Sequence, residues 1–184
     1  NTALPESLHG RALIKVEDRI TTDHIMPAGA RMKYRSNIPE YSKYVFESID
    51  PDFSGRASAA RDKGEHGFII ARQSYGQGSS REHAAICPMY LGIKAVVAVS
   101  IERIHQANLA NFGILPLLFE NADDYDRISE GDELEITGTR EAMESGSFML
   151  HDMTTGDMIP LRIFASEAQR KTILLGGRLN EVAL

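Results

Sequence analysis

The stretch from Gly67 to Pro116 constrains the fold of this chain most strongly, because short apolar runs alternate in it with helix-like segments. Three runs predict strands and two segments predict helices, in the order 68–72, 79–87, 94–100, 101–112 and 114–119. The run at 94–100 is nearly continuous in apolar residues, which is typical of a strand that is buried on both faces and paired in parallel. The alternation predicts a layered βαβ core, towards which Ile104 and Leu109 of the second helix are expected to face.

The segments outside this stretch predict additional structure, with antiparallel hairpins towards the C-terminus. Upstream, residues 12–16 predict a short strand, 20–30 a loop and 41–49 a short helix, while the stretch up to Glu65 fits either a loop or another helix. Downstream, strand candidates at 132–138, 149–151 and 159–164 precede a last helix that begins at Ser166. No linker or internal repeat divides the chain, so we expect a single α/β domain over residues 1–184.

A glycine-spaced turn, Gly76-Gln77-Gly78-Ser79-Ser80-Arg81, lies between the first strand and the first helix of the core. Ser79 and Glu82 have the spacing of a capping box, which predicts a helix start with free N–H groups and the positive end of the helix dipole. Two hydroxyl groups and a guanidinium group at such a place favour a carboxylate or a phosphate as ligand. An ordinary strand–turn–helix with a capping serine explains the same residues, and the local pattern alone does not decide between the two.

Two polar segments upstream are weaker site candidates. Asp23 and His24 lie in a polar loop between Ile20 and Ile25, where a turn-stabilising contact of Asp23 and a solvated imidazole explain them as well as a site does. The basic segment 31–35 has the composition of a solvated surface. A functional role for either segment therefore requires information beyond its own composition.

Composition and charge exclude several functional classes. With 184 residues, 42% hydrophobic content and a net charge of −6, the chain fits a globular protein without the basic surface that a nucleic-acid partner requires. The apolar runs are too short to span a bilayer, so no membrane association is expected. Cys87 is the only cysteine, which excludes a disulfide framework and a CxxC motif and favours a packing role. We therefore expect a cytoplasmic protein or one of an organelle matrix, and the start at Asn1 predicts a piece cut from a longer chain.

Two motifs in the same order resemble a known family. The first is Gly78–Ala85, followed by Pro88, Leu91-Gly92, Ile104-His105, Asn108 and Gly113–Pro116. The second is Thr21–Ile25 with Ala28-Gly29 upstream of it, and Arg35 stands twelve residues after Asp23. Together they resemble the C-terminal swivelling domain of aconitases, and the resemblance becomes loose over residues 140–184. It implies a three-layer swivelling β/β/α domain with a mixed, partly parallel sheet and additional antiparallel strands.

The resemblance also implies roles for individual residues. Ser79 occupies the place of the family's catalytic base, which removes a proton from the substrate carbon. Ser80, Arg81 and Arg35 occupy positions that bind substrate carboxylates. Asp23, His24 and Gly78 are implied as supporting residues beside the site.

The family's reaction interconverts citrate and isocitrate through cis-aconitate, by the removal and re-addition of water. The resemblance implies a [4Fe–4S] cluster as Lewis acid, held by three cysteines, whereas this chain has only Cys87. We therefore expect no metal bound by this chain alone and cluster-bearing aconitase domains as its partner, in the same polypeptide or in another subunit. The chain alone is expected to bind carboxylates weakly and to have no hydro-lyase turnover.

Two alternatives remain at this point. One is the small subunit of a 3-isopropylmalate or homoaconitate isomerase, although the Thr-Thr-Asp-His-Ile form of the loop and the length of the segment 31–67 favour an aconitase. The other is a non-catalytic module that binds anions at the same helix end. Loss of turnover on replacement of Ser79 separates a catalytic domain from a binding module.

Overall fold

The computed structural model describes residues 1–184 and contains one seven-stranded sheet and eight helices. The strands are β1 (Ser7–Lys15), β2 (His66–Ile70), β3 (Ile93–Ala98), β4 (Leu115–Phe119), β5 (Glu133–Thr137), β6 (Ser147–Asp152) and β7 (Met158–Ile163). The helices are α1 (Thr22–Ile25), α2 (Ile38–Ser42), α3 (Phe53–Asp62), α4 (His83–Tyr90), α5 (Arg103–Asn111), α6 (Thr139–Ser145), α7 (Glu167–Leu174) and α8 (Arg178–Val182). Two 3₁₀ segments, Gly29–Tyr34 and Ala122–Arg127, complete the secondary structure.

The sheet closes into a barrel with the strand order β1-β2-β3-β4-β7-β6-β5. Neighbours from β1 to β4 are parallel, and the pairs β4–β7, β7–β6, β6–β5 and β5–β1 are antiparallel. The mixed α/β fold with a parallel core and antiparallel hairpins is therefore confirmed. The three-layer arrangement stays a prediction, because the sheet closes on itself through the pairing of β1 with β5.

Two apolar cores lie on the two sides of the parallel strands. Phe68 and Ile70 of β2 pack in the interior of the barrel with residues from all seven strands. Ile69, between them, packs on the other side against residues of α1 to α5. This alternation follows from the period of two in a strand. All six residues of β3 are buried, as the continuous apolar run predicts.

Several predictions about helices are wrong or incomplete, among them the helix at 41–49, where the structure has α2 at Ile38–Ser42. Residues 20–30, predicted as a loop, contain α1, whose start is fixed by a capping box between Thr21 and His24. The helix predicted at 79–87 is displaced to α4, which runs past Pro88 to Tyr90 although proline lacks the N–H for one helical hydrogen bond. Ile104 is 60% exposed, because α5 turns only the side of Leu109 towards the core.

None of the helices combines the length and the apolarity that a membrane-spanning helix requires. A membrane-spanning helix needs about 20 residues, whereas α3 has ten.

Candidate active site

Three loops meet at the carboxyl ends of β1, β2 and β3. The loop after β2 bridges to both neighbours, through Thr21 with Gln77 and through Tyr75 with Ile101. Backbone bonds support this contact, since the N–H of Gly76 donates to Ile20 O at 2.7 Å and that of Thr22 donates to Gln77 O at 2.9 Å. Ligands bind at this end of parallel strands both in open α/β sheets and in closed parallel barrels. The fold thus brings the two sequence motifs, which lie more than fifty residues apart, to one place.

The serine loop, defined here as residues 76–82, is not part of a helix. The predicted capping box between Ser79 and Glu82 is wrong, because α4 begins only at His83 and no side chain caps it. Gly76 and Gly78 have positive φ angles of 88° and 105°, which turn the chain away from a helical path. Ser79 and Ser80 are exposed in this loop.

Most backbone N–H groups of the serine loop are free to bind a ligand. The N–H groups of Gly76 and Gln77 donate to Ile20 O, whereas those of residues 78–82 donate no hydrogen bond within the chain. Successive free N–H groups in a turn form a site for an anion. The anion site predicted from the sequence therefore has free N–H donors, but these donors belong to the loop and not to a capped helix end.

Arg81 is held in place by the signature loop, defined here as residues 20–26, which follows β1. Its Nη1 donates to the carboxylate of Asp23 and to Met26 O, the latter at 3.2 Å. The hydrogen bond from Arg81 lowers the pKa of Asp23 below its usual value, so Asp23 is charged at neutral pH. The remaining guanidinium N–H groups make no bond within the chain and can donate to a carboxylate.

His24 has a structural role in this arrangement. Its Nδ1 accepts a hydrogen bond from the N–H of Thr21 at 2.9 Å, and its own N–H donates to Thr21 Oγ1 at 3.1 Å. This capping box fixes the start of α1 and therefore the position of the neighbouring Asp23.

Arg35 lies beside the serine loop but not in the pocket. Its carbonyl oxygen accepts a hydrogen bond from His83 Nε2 at 2.8 Å. The His83 ring packs against Tyr41 at a centroid distance of 5.3 Å. The Arg35 side chain is exposed and makes no ion pair. The structure thus brings the backbone of Arg35 to the first turn of α4, while its side chain stays outside the set that lines the pocket.

A pocket of about 250 Å³ lies between the serine loop and the start of α5. One wall consists of Thr22 and of loop residues, including Ser79, Ser80 and Arg81. The other wall comes from residues that follow β3, namely Glu102, Arg103, Ile104, His105 and Asn108. Sequence reasoning did not single out this second wall as part of the site. The signal that it offered was a pair of polar residues, His105 and Asn108, three positions apart on a helix that follows a buried strand.

The glycine at position 76 allows the loop to approach α5. A Cβ atom built there would lie 2.3 Å from the ring of His105, closer than real contacts allow. His105 in turn packs against the Tyr75 ring at 5.4 Å. Burial lowers the pKa of His105 to about 4, so the imidazole at this contact is uncharged at neutral pH.

The chain offers no ligand set for an iron–sulfur cluster. No group of three or more His, Cys, Asp or Glu side chains is arranged to hold a metal ion. Cys87 is fully buried, and burial raises the pKa of its thiol to about 11, whereas a metal ligand is a thiolate. The residues present therefore do not fit such a cluster.

A wider depression of about 940 Å³ lies elsewhere, between α6 and α7. Its charged residues have both signs, Glu144 and Glu167 against Arg170 and Lys171. Arg170 is already engaged there, because it donates to the carbonyl groups of Met143 and Ala165. This surface lacks the convergence of free donors that marks the pocket at the serine loop.

Comparisons with known proteins show which family this chain resembles. Residues 9–122 match the model of the aconitase C-terminal domain. The chain is 39% identical over 149 residues to a probable mitochondrial aconitate hydratase of Dictyostelium discoideum, and the match covers 71% of this chain and 19% of that protein. It is 37% identical over 147 residues to the mitochondrial homocitrate dehydratase of Saccharomyces cerevisiae, with the same two shares of 71% and 19%. The chain thus spans about a fifth of the length of these relatives.

A solved structure is similar over nearly the whole chain. The crystal structure of 3-isopropylmalate dehydratase from Methanocaldococcus jannaschii superimposes with a TM-score of 0.79 at 28% identity, covering 96% of this chain and 93% of that one. The family model matches more than half of the present chain and includes both motifs of the pocket. The chain therefore belongs to the aconitase C-terminal domain family.

Proposed function

We propose that this chain is the substrate-binding and base-supplying domain of an aconitate hydratase, which interconverts citrate and isocitrate through cis-aconitate. The observation that carries this proposal is the pocket at the carboxyl ends of β1 to β3, where exposed serine hydroxyl groups, a fixed guanidinium group and free N–H donors meet. Relatives that are named aconitate hydratases support this choice of reaction.

Ser79 is the proposed base. A serine hydroxyl is a poor base unless its alkoxide form is stabilised. The free N–H groups of the serine loop and the guanidinium group of Arg81 favour negative charge at this place. In its alkoxide form, Ser79 Oγ takes the proton from the substrate carbon, and the same group returns a proton in the reverse direction.

Carboxylate groups are bound by Ser80, Arg81 and Arg35 in this proposal. Arg81 is pre-oriented by Asp23, which leaves part of its fork for a bidentate contact with a carboxylate. Arg35 stands next to the first turn of α4 through its bond with His83, and its exposed side chain is free to swing towards a bound acid.

The Lewis acid of the reaction would belong to other aconitase domains, in the same polypeptide or in a partner subunit. This chain supplies the base and the carboxylate-binding groups only. We call the combination of this chain with that cluster-bearing part the assembled enzyme. Its location in an organelle matrix is supported by the mitochondrial relatives, while a cytoplasmic location stays a prediction.

Replacement of Ser79 in the assembled enzyme tests the proposal. Ser79→Ala should lower kcat for citrate by about 10³-fold or more with a modest change in KM, because a base acts only in the transition state. The matched control is Ser48→Ala, an exposed serine outside the pocket, which should keep normal kinetics. Normal turnover by Ser79→Ala would refute the assignment and favour a non-catalytic anion-binding module.

A second candidate is the corresponding domain of a 3-isopropylmalate or homoaconitate isomerase. It is favoured by the similarity to the solved 3-isopropylmalate dehydratase, which covers 96% of this chain with a TM-score of 0.79. Both candidates use the same pocket, and their substrates differ in the side group that the acid carries. Comparison of kcat/KM for citrate, homocitrate and 3-isopropylmalate in the assembled enzyme decides between them.

A further inference from the structure

Two polar side chains of α5 are buried at the pocket without a partner. His105 is 2% exposed and Asn108 is 8% exposed, and both line the pocket. Neither ring nitrogen of His105 makes a hydrogen bond within the chain, and Asn108 Nδ2 makes none either. A buried polar atom that is left unpaired costs about 1–3 kcal/mol. Such atoms therefore mark a place where a further polar group is expected.

The position of these side chains is well defined by packing. His105 and Asn108 are three residues apart and so lie on one side of α5. The His105 ring is fixed between Tyr75 and the backbone of Gly76, where no Cβ atom fits. The two side chains form the floor of the pocket, and the exposed serine loop forms its rim.

The floor is uncharged and contains both donors and acceptors. A neutral imidazole has one nitrogen that donates and one that accepts, and the Asn108 amide nitrogen donates. A carboxylate buried here would lack the cation that it requires, whereas Arg81 and Arg103 stand at the rim. A small uncharged hydroxyl group fits the floor better. Water meets this description, and a pocket of about 250 Å³ exceeds the space that one molecule needs.

We propose that His105 and Asn108 bind one water molecule at the floor of the pocket, and that this water positions the serine loop by accepting a hydrogen bond from one free backbone N–H group of residues 78–80. The N–H groups of these residues have no partner within the chain, and the three residues line the same pocket. A water that bridges protein groups is nearly as favourable as a direct hydrogen bond. His105 and Asn108 are thus positioning residues. The expected effect on kcat rests on the proposed function, in which the serine loop presents Ser79 as the base, whereas the water site itself does not.

Crystal structures and kinetics of the assembled enzyme test the inference. We expect a water at about 2.7–3.2 Å from a nitrogen of His105 or Asn108 and from a backbone group of residues 78–80. Asn108→Leu keeps the side-chain volume and removes the amide, so the water should be lost, the loop displaced and kcat lowered about 10- to 100-fold. Asn108→Ser retains a donor and should keep both the water and most of kcat. A floor without water, or one occupied by a group of the substrate, would overturn the proposal.

A matched control separates positioning from a general loss of packing. Leu109→Ala removes a buried side chain of the same helix that does not line the pocket. If it lowers kcat as much as Asn108→Leu for an equal loss of Tm, the role of Asn108 is merely structural and the proposal is wrong. The crystal structure of the unsubstituted enzyme shows directly whether the water is present. It therefore tests the proposal even if Asn108→Leu does not fold. An enzyme inactive towards citrate would contradict the proposed function and leave that result intact.

Discussion

Gly76 and Gly131 have similar backbone angles but different surroundings. Their φ angles are 88° and 91°, in the region that favours glycine. A Cβ atom at Gly76 would meet the His105 ring at 2.3 Å, whereas one at Gly131 would meet nothing within 4 Å. Gly131 is therefore required for its conformation alone, and Gly76 also for the close approach of the serine loop to α5.

Comparison of alanine variants at Gly76 and Gly131 measures how much the close approach of Gly76 to His105 contributes to the free energy of unfolding. Gly131→Ala should lower the free energy of unfolding by about 1–3 kcal/mol through backbone strain alone. Gly76→Ala should lower it by a further 1–3 kcal/mol, roughly, because the His105 ring must move. Urea unfolding of both variants checks the difference. Equal losses would show that the contact of Gly76 with His105 contributes nothing.

Asp152 is a buried carboxyl group outside the pocket. It is fully buried beside Asp132, and its Oδ1 accepts hydrogen bonds from the N–H groups of Thr154 and Thr155 at 3.1 and 3.2 Å. Its Oδ2 has no partner. Burial and the contact with Asp132 raise the pKa of Asp152 from 3.8 to about 6.

This pKa predicts a pH dependence of stability. The folded state binds the proton of Asp152 more tightly than the unfolded state, so its contribution to stability is complete below the unfolded value of 3.8 and is lost as the pH rises to about 6. Asp152→Asn keeps an acceptor for Thr154 and Thr155 and removes the charge. The variant should therefore be more stable than the parent above pH 6, on the order of 1–3 kcal/mol, and similar to it near pH 4. Unfolding curves from pH 4 to 8 check this, with the exposed Asp126→Asn as control, and a pH-independent difference would contradict it.

At the scale of the elements, the first turn of α4 connects the serine loop to the segment that carries Arg35. The contact consists of the bond from His83 Nε2 to Arg35 O and of the packing of His83 on Tyr41. Tyr41 in turn donates to Pro27 O at 2.8 Å, next to the signature loop. Three segments around the pocket are thus joined through one histidine.

His83→Phe should weaken substrate binding in the assembled enzyme. The phenyl ring retains the packing on Tyr41, but the segment of Arg35 loses its hydrogen bond, whose net value is about 1 kcal/mol. KM for citrate should therefore rise about fivefold with little change in kcat. His9→Phe is the matched control, since it also removes a histidine hydrogen bond, to Glu133, away from the pocket. The same rise in KM for both variants would exclude the proposed connection.

At the scale of the whole molecule, the barrel gathers the residues of the proposed site at one end. The pairing of β1 with β5 leaves the sheet without a free edge, and the loops of the parallel strands gather at one end. In the proposed function, the chain supplies a base and carboxylate-binding groups there, while none of its His, Cys, Asp and Glu side chains form a group that could hold a metal ion.

The chain alone should therefore bind citrate weakly and show no interconversion of citrate and isocitrate. Mixing with the cluster-bearing part should restore turnover, since the departing hydroxide then has an acid to bind it. Coupled assays of isocitrate formation, with each part alone and with the mixture, check this. Turnover by the chain alone would show that this domain carries the acid as well.

The local sequence was sufficient to predict those elements in which the pattern of consecutive residues favours a single structure. The apolar run at 94–100 became β3, buried on both faces, and Ser166 with Gln169 forms the capping box of α7. The motifs around Asp23 and Ser79 also indicated the family, and both lie within residues 9–122, which match its model.

Tertiary contacts decided the start of α4, the closure of the barrel and the second wall of the pocket. Ser79 and Glu82 have the spacing of a capping box, but the bridge of Gln77 to Thr21 and the pairing of Arg81 with Asp23 hold the loop out of a helix. The pairing of β1 with β5 joins strands more than a hundred residues apart, for which a local pattern carries no signal. His105 and Asn108 became part of the site only because the loop after β2 packs on α5. Local periodicity thus determined the elements and their chemistry, whereas contacts between distant segments decided which side chains face one another.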